Sequence, residues 1–313
     1  MDLFVLTLDR ILLLFLFIFA GFLLIKVKAL PKSSAEVLSK LENNLFIPAL
    51  VFSTFSTSFK PEKISAAWRM FALGGAVCAA MVFISMVIVR FISRDKFTQN
   101  IYTYGLVFSN FGFMGNAIVS AVFPDIFLEY LIFTLPMWTL IYVWGVPCLL
   151  IPRENGSTNS GKLKAFVNPM LISMILGGVV GITGIKLPSF AASAIQTAGE
   201  CMSPVSMLLT GVIVASSGIV KVLKNFSIYV MTVIRLIVLP LVGIGIFYLL
   251  KVPEAYSICT VCALAMPLGL NIMVIPSGYG KDTSLAAGAI IVSHLMSAVT
   301  IPLIFALMSV VNQ

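Results

Sequence analysis

Residues 109–124, SNFGFMGNAIVSAVFP, decide the fold, because two asparagines and two glycines interrupt a stretch that is otherwise typical of a membrane-buried helix. A helix breaker in the middle of a bilayer frees backbone N–H and C=O groups. These groups are tolerated only where protein or a water-filled cavity binds them. The stretch therefore predicts a broken helix whose break faces the interior of the protein.

The whole chain has the composition of an integral membrane protein. Of its 313 residues, 60% are hydrophobic and 10% are charged, and the mean hydropathy is +1.09. A helix needs about 20 apolar residues to cross the hydrocarbon core. Ten spans are predicted on this basis, at residues 5–26, 34–57, 66–92, 99–123, 126–151, 166–186, 190–217, 226–250, 254–278 and 283–309. They leave no room for a soluble domain.

The net charge of +8 is explained by membrane topology and not by nucleic-acid binding, since the basic residues form short clusters between the spans. With the N-terminus outside, thirteen Lys and Arg residues fall on the cytoplasmic side and five on the outer side. Asp2 and Asp9 argue against a cleaved signal peptide. We expect a multi-pass protein of the cell membrane with both termini outside.

The organisation of the chain predicts an internal repeat. A polar linker at residues 152–164 separates five spans at 1–151 from five spans at 165–313, and an odd number of spans in each half inverts the second half. The ninth span also carries helix breakers, in AMPLGLNIMVIPSGYG at 265–280. Paired interruptions at corresponding positions of two halves indicate a transporter binding site.

The residues around the two breaks favour an anionic ligand. Each second half-helix would begin with unpaired N–H groups and the positive end of its dipole. Asparagines supply amide donors, and Asn116 is also suited to cap its half-helix, whereas Gly and Pro residues loosen the backbone. The candidate binding residues are Asn110, Gly112, Gly115, Asn116, Pro267 and Asn271. The alternative, that these residues only mediate helix packing, stays open.

Three ionisable residues inside the spans, Glu200, Arg235 and His294, are candidates for charge neutralisation or coupling. Glu200 either carries a proton or is hydrated at a helix end. For Arg235, a structural or coupling role is favoured over direct contact with a substrate carboxylate. For His294, a packed core residue is favoured over a titrating one. Glu42 is expected to face the cytoplasmic entrance or a helix interface.

The sequence predicts no metal and no cofactor. The five cysteines lie in apolar spans, where packing is their expected role. CTVC at 259–262 has the spacing of a metal or redox site, but the chain has one histidine and no second cysteine pair. The chain also has no phosphate-binding loop for ATP.

At this point the chain resembles the auxin efflux carrier family, which includes plant PIN carriers and bacterial malate and malonate permeases. Seven stretches carry the resemblance, in order and at the family's spacing. They are NNLFIPALVFSTF, SNFGFMGNAIVSAVF, NPMLISMILGGVVGI, SPVSMLLTGVIVASS, RLIVLPL, MPLGLNIMVIPSGYGKD and VSHLMSAVTIPL. The resemblance implies ten helices in two inverted five-helix repeats, with broken helices 4 and 9 crossing at the site.

The resemblance also implies a scaffold of helices 1, 2, 6 and 7 that dimerises, and an elevator-type transport domain of helices 3–5 and 8–10. The implied substrates are small organic anions. One departure concerns Asn116, since the family usually has proline there. A gentler break at Gly115, with Asn116 as a cap, is the expectation that follows.

The leading interpretation is a secondary active transporter or facilitator of malate- or malonate-like carboxylates or auxin-like acids, with protons as a candidate coupling ion. A sodium-coupled symporter of the bile acid transporter type is the nearest alternative. It is disfavoured because no acidic residue lies near the break in the ninth span. The chain lacks the catalytic constellation that an intramembrane enzyme needs. A receptor or a channel stays an alternative, although a receptor would not require two broken helices, and single-channel current would favour a channel.

Overall fold

The computed structural model describes residues 3–31, 33–66, 68–151, 169–216 and 223–311, and the regular elements in these ranges are helices. The predicted linker at 152–164 lies outside the described residues. Within the described ranges, five helices are long and apolar enough to cross a membrane. They are Trp68–Ile92, Pro124–Leu150, Ser189–Ser216, Phe226–Leu250 and Ser284–Val311, and shorter apolar helices cover Phe15–Lys26, Ile172–Thr183 and Glu254–Ala265.

The helices of the first half begin near the N-terminus and end before the linker. In chain order they are α1 (Leu3–Lys26), α2 (Ser34–Leu41), α3 (Ile47–Ser58), α4 (Pro61–Ala66), α5 (Trp68–Ile92), α6 (Lys96–Val107), α7 (Asn116–Val122) and α8 (Phe127–Leu140). Between α6 and α7 the helix is broken at residues 108–110. The fourth predicted span is therefore two half-helices.

The helices of the second half lie between residues 169 and 311. They are α9 (Pro169–Thr183), α10 (Ser189–Glu200), α11 (Met202–Ser216), α12 (Phe226–Val233), α13 (Leu239–Leu250), α14 (Glu254–Ala265), α15 (Asn271–Gly278) and α16 (Ser284–Val311). The ninth predicted span is interrupted at residues 266–270, between α14 and α15. Both breaks predicted from the sequence are thus present.

Wide π-helical segments continue several of these helices, which the sequence analysis did not predict. They lie at Glu42–Phe46, Phe111–Gly115, Ile141–Leu150 and Ile234–Val238. Pro48 lies two residues after the end of the first segment, and Pro240 lies two residues after the end of the last. A proline ring needs space at the carbonyl four residues earlier and donates no hydrogen bond, so the preceding turn widens.

One group of helices, which we call the first helix group, consists of α1–α3 and α9–α11. In it α1 packs along α11, and α3 packs against α9 and α10. The contact between α1 and α11 depends on Gly21 and Gly211, because a Cβ atom at either position would collide with the backbone of Leu208 or Ile18 respectively. Small residues allow such close approach of membrane helices.

The second helix group consists of α5–α8 and α12–α16. Its main contacts join α5 to α8 and α6, α13 to α14, and α12 to α16. Every residue at 101–111 and at 257–277 is buried. A helix that is buried on all sides lies in the core of its protein. The two broken spans therefore occupy the centre of this group, whereas large apolar side chains such as Phe83 and Phe91 of α5 are exposed at its periphery.

Candidate substrate site at the helix crossing

The two breaks bind each other through their backbones. The Asn110 N–H donates to the Pro267 carbonyl over 2.8 Å, and Ser109 and Leu268 form an isolated antiparallel bridge. The Ser109 hydroxyl also donates to the carbonyl of Ala263 over 2.7 Å. Backbone groups that the breaks free from helical bonding thus find partners in the opposite break, as burial requires.

Gly269 permits this close approach. A Cβ atom at this position would lie 2.9 Å from the Phe108 carbonyl oxygen and 3.2 Å from that of Ser109. Both distances are shorter than an ordinary van der Waals contact. A side chain here would therefore push the two breaks apart.

Arg235 joins the C-terminal ends of the two first half-helices, α6 and α14. The guanidinium is buried and donates from Nη1 to Leu106 over 2.7 Å, from Nη2 to Ala263 over 2.7 Å and from Nε to Met266 over 3.2 Å. All three acceptors are backbone carbonyls. A cation at the negative end of a helix dipole is stabilising, and here one cation serves two helices.

The opposite ends, at which the second half-helices begin, face a common cavity. Its lining includes residues 108–112 of one break and residues 269–271 of the other, together with Tyr104, Trp138, Ile141, Tyr142 and Met202. The cavity volume is about 20 Å³, which is space for about one water molecule. In this conformation the cavity is too small for an organic acid, so a ligand of that size requires the walls to separate.

Several polar atoms converge on this cavity. The Asn271 amide donates to the Tyr104 hydroxyl over 2.9 Å, and the Asn110 amide nitrogen lies 3.2 Å from His294 Nε2. The Asn110 Oδ1 and the Trp138 Nε1 are buried without a hydrogen-bond partner. A buried polar atom without a partner is costly, so these two atoms offer an acceptor and a donor to a ligand.

His294 is held as a neutral donor and acceptor. Its Nδ1 lies 2.8 Å from the Ile290 carbonyl, which can only accept a hydrogen bond, so Nδ1 carries the proton. The Nε2 atom then accepts from the Asn110 amide. Both ring nitrogens therefore have hydrogen-bond partners, and the bond to Nε2 orients the Asn110 side chain.

The structure brings some of the predicted residues together and separates others. Asn110, Gly112 and Asn271 line the cavity, and Pro267 lies in the break behind it. Glu200 is exposed at the end of α10, where its carboxylate accepts from the Gln196 amide over 2.9 Å.

Gly115 and Asn116 do not form the break, contrary to the expectation drawn from the missing proline. Gly115 has helical dihedrals (φ −62°, ψ −49°), and Asn116 begins α7 without a side-chain cap. The chain instead breaks earlier, at residues 108–110, where the contacts with the other break replace the helical bonds. Gly115 is required for packing, because a Cβ atom there would collide with the Tyr130 hydroxyl.

Sequence reasoning missed the aromatic residues of the site. Tyr104, Trp138 and Tyr142 line the cavity, and the rings of Trp138 and Tyr142 stack with centroids 6.1 Å apart. Aromatic residues are frequent throughout these spans, so composition gave no signal for which of them face the cavity. The Trp138 indole also packs against Gly112, where a Cβ atom would collide with the ring.

Comparison with known proteins identifies the family of the chain. A sequence profile of the family described as membrane transport protein matches residues 6–305. The chain belongs to this family. The match covers nearly the whole chain, and it confirms the resemblance to the auxin efflux carrier family. Membership makes the chain a membrane transport protein, which is consistent with the interpretation that it is not an enzyme.

A curated relative within the family has the same extent. An uncharacterized transporter of Methanothermobacter thermautotrophicus is 22% identical over 299 residues, which cover 94% of this chain and 96% of the relative. The similarity therefore spans both breaks and the helices around them.

Proposed function

We propose that the protein is a secondary transporter or facilitator of small organic anions, carboxylates of the malate or malonate type or auxin-like acids, which bind where the two broken spans cross. The observation that carries the proposal is that α15 and the segment leading into α7 both begin at one cavity whose lining includes an unpartnered donor, the Trp138 indole N–H. Helix N-termini attract anions.

The chemistry of the cavity favours binding without a salt bridge. Its lining residues carry no charged side chain, so the anion would be held by backbone N–H groups, the Asn271 and Asn110 amides and the Trp138 indole. The positive charge of Arg235 is directed to the C-terminal ends of the first half-helices, α6 and α14. A site of this kind binds an anion without trapping it, because no fixed ion pair must be broken on release.

The packing supports the proposed architecture of two inverted five-helix repeats, at 1–151 and 165–313. Predicted spans 1, 2, 6 and 7 supply the first helix group, which would be the scaffold, and the remaining spans supply the second, which would be the transport domain. Because the cavity is too small for an organic acid, transport would require a movement of one group against the other. We propose an elevator-type movement with alternating access.

The proposed setting is the cell membrane, with both termini outside and two copies associating through the scaffold. Exposed apolar side chains on α9, such as Ile175 and Ile182, offer a surface for lipid or for a second copy. The molecular mass of the protein solubilised in detergent would distinguish a dimer from a monomer. Labelling of cysteines introduced into loops, in sealed vesicles, would test which side of the membrane the termini face.

Uptake into proteoliposomes tests the function. We expect transport of radiolabelled dicarboxylates or monocarboxylates, faster than in protein-free vesicles and saturable, with a pH gradient or with the substrate gradient alone. Absence of uptake for every acid under both conditions would refute the proposal. Uptake that requires sodium at a fixed pH would instead favour the alternative of a sodium-coupled symporter.

Ligand-induced thermal stabilisation tests the site. Asn110→Ala and Asn271→Ala each remove an amide from the cavity, and loss of one hydrogen bond to a charged group weakens binding by about 1.5–3 kcal/mol, or roughly 10- to 100-fold. Asn100→Ala is the matched control, because Asn100 lies on α6 outside the cavity lining. If both cavity variants keep the full ligand-induced shift, the site assignment is wrong.

A further inference from the structure

A carboxylate is buried where the two helix groups meet. Glu42 is fully buried in the wide turn that connects α2 to α3. Its Oε1 accepts a hydrogen bond from the Ser206 hydroxyl of α11 over 3.0 Å, whereas its Oε2 has no partner. The ion pair found among the described residues joins Lys40 to Glu36 and leaves Glu42 without a basic partner in that part of the chain.

The surrounding elements supply no counter-charge. The helices α3, α9, α11 and α15, which pack against this turn or against α2, contain no charged residue. The titratable groups on the remaining neighbours are Glu36 and Lys40, which bind each other, exposed Glu200, Cys201 before α11, and exposed Tyr279 after α15. A buried carboxylate that lacks a cation is strongly disfavoured in its ionised form.

Resting on the proposed function, we propose that Glu42 is the proton-binding residue of the transport cycle, protonated in this conformation and ionised when the contact between the helix groups opens. One proton passes from water on one side of the membrane to the Glu42 carboxylate. It returns to water on the other side when movement of the second helix group past the fixed first group changes the side from which water reaches Glu42. No covalent bond other than O–H forms or breaks.

The helix α15, which begins at the substrate cavity, also packs next to Glu42. The adjacent Asn43 amide lies 3.4 Å from the Val274 carbonyl of α15. Gly278 of α15 packs so closely on the Asn43 amide that a Cβ atom would collide with it. Because α15 begins at the substrate cavity, a displacement of α15 that opens the cavity also changes the surroundings of Glu42.

A cavity large enough for water ends next to the residue that covers this carboxylate. A cavity of about 220 Å³ lies beside the turn and is lined in part by Lys40, Asn43, Asn44 and Gly278. The Asn43 Oδ1 and the Ser39 Oγ are buried without partners, so both can bind water that enters when α15 moves. The cavity lining includes Asn43 but not Glu42, which places the carboxylate behind Asn43 in this conformation.

A proton fits these surroundings better than a metal cation. Hard cations take about six or more oxygen ligands, whereas the buried side-chain oxygens without a partner near the turn, among the described residues, are those of Glu42, Asn43 and Ser39. A proton needs no coordination cavity and removes the charge outright. Protonated Glu42 would let the two groups close on each other, and ionised Glu42 would hold them apart until a proton binds to it.

The test uses the full-length protein with Glu42→Gln, which keeps the shape and the acceptor for Ser206 but is permanently neutral. Glu36→Gln is the control, because Glu36 lies on the adjacent helix α2 and is exposed. Three measurements are made in parallel: substrate-induced thermal shift, substrate counterflow without a gradient, and accumulation driven by a pH gradient. Infrared difference spectra of the purified protein across pH supply an independent readout of carboxyl protonation.

We expect Glu42→Gln to keep the thermal shift and counterflow but to lose gradient-driven accumulation entirely, with Glu36→Gln like the wild type. The carbonyl band of a protonated carboxylic acid should be present in the wild type at neutral pH and absent from Glu42→Gln. Retained gradient-driven accumulation, or an unchanged carboxyl band, would overturn the proposal while leaving transport intact. Loss of coupling in Glu200→Gln alone, or sodium-driven accumulation that Glu42→Gln abolishes, would also overturn it.

The outcomes separate this inference from the proposed function. If the wild type transports no organic acid, the function fails, and the infrared band still decides whether Glu42 is protonated. If the wild type transports acids but shows no response to pH and no carboxyl band, the function stands and the assignment of Glu42 fails.

Discussion

Arg235 donates a hydrogen bond to the carbonyl of Leu106 across 129 positions of sequence, over a distance of 2.7 Å. The same guanidinium binds Ala263 and Met266. One side chain of the eighth predicted span thus fixes the ends of half-helices from the fourth and the ninth. The crossing therefore depends on a cation that does not contact the cavity.

Replacing this cation should destabilise the protein more than any exposed charge does. Arg235→Met removes the Arg235 donors from the carbonyls of Leu106 and Met266 and leaves Ala263 with the Ser109 hydroxyl, at a cost of about 1–3 kcal/mol for each group left unpaired. We expect a large fall in the thermal unfolding temperature in detergent, with Arg235→Lys intermediate because lysine lacks the planar fork. Arg90→Met, at an exposed position of α5, is the control. Equal stability of Arg235→Met and Arg90→Met would contradict the role.

Two helical glycines should respond in opposite ways to replacement by alanine, because only one of them lies in the tight contact between α1 and α11. At Gly211 a Cβ atom collides with the backbone of Ile18, whereas at Gly245 no atom lies within 4 Å. Gly211→Ala should lower the free energy of unfolding by about 1–3 kcal/mol. Gly245→Ala should raise it by about 0.5–1 kcal/mol, since alanine favours a helix. Denaturation of both variants measures the difference, and a neutral Gly211→Ala would disprove the tight contact.

The unpartnered indole predicts a defect confined to binding. Trp138→Phe removes the Nε1–H and keeps an aromatic ring against Tyr142. We expect roughly 10-fold or greater weakening of anion binding, from the loss of a charge-assisted hydrogen bond, with little loss of thermal stability. Trp144→Phe, in the same predicted span but outside the cavity lining, should bind normally. Equal affinities of the two variants would exclude the indole as a ligand donor.

The start of α6 predicts a pH effect on stability outside the membrane. Asp95 caps this helix by accepting the Thr98 N–H over 2.7 Å, and that bond lowers the pKa of the Asp95 carboxyl. A lowered pKa in the folded state stabilises the fold above the unfolded value of about 3.9. That contribution disappears as the pH falls below this value and the carboxylate becomes protonated.

Two variants measure this cap. Asp95→Ala should lower the unfolding free energy by about 1 kcal/mol near neutral pH, with the purely electrostatic part small because Asp95 is exposed. Asp95→Asn keeps a capping acceptor but cannot ionise. The difference in unfolding free energy between the wild type and this variant should therefore change as the pH falls and Asp95 becomes protonated. Unfolding of the three proteins between about pH 3 and pH 7 gives the comparison. A difference between wild type and Asp95→Asn that does not change with pH would refute the assignment.

The sequence predicted the breaks because their causes are local. Gly, Pro and Asn residues weaken a helix at their own positions, and the stretches around Asn110 and Pro267 both contain the observed interruptions. The displacement of the first break from Gly115 to residues 108–110 was not predictable in this way. It results from hydrogen bonds to the ninth span, whose partner for Asn110 is 157 positions away along the chain.

Partners at long range also explain the other differences. Arg235 was favoured as a structural residue, but its acceptors on two half-helices follow only from the crossing. The wide turn at Glu42 reflects Pro48 together with packing on α11 and α15. Which aromatic residues face the cavity depends on helix rotation, which hydrophobic periodicity does not specify in spans that are buried on every side.

The crossing is held by main-chain contacts, including the bond from Asn110 to Pro267, by the Ser109 and Tyr104 hydroxyls, and by one arginine that approaches from outside the cavity. The Trp138 indole N–H, in contrast, has no partner in either break. We therefore expect changes at Trp138 to alter ligand binding while these hydrogen bonds persist. A frame of this kind is a suitable starting point for redesigning the transporter toward other substrates.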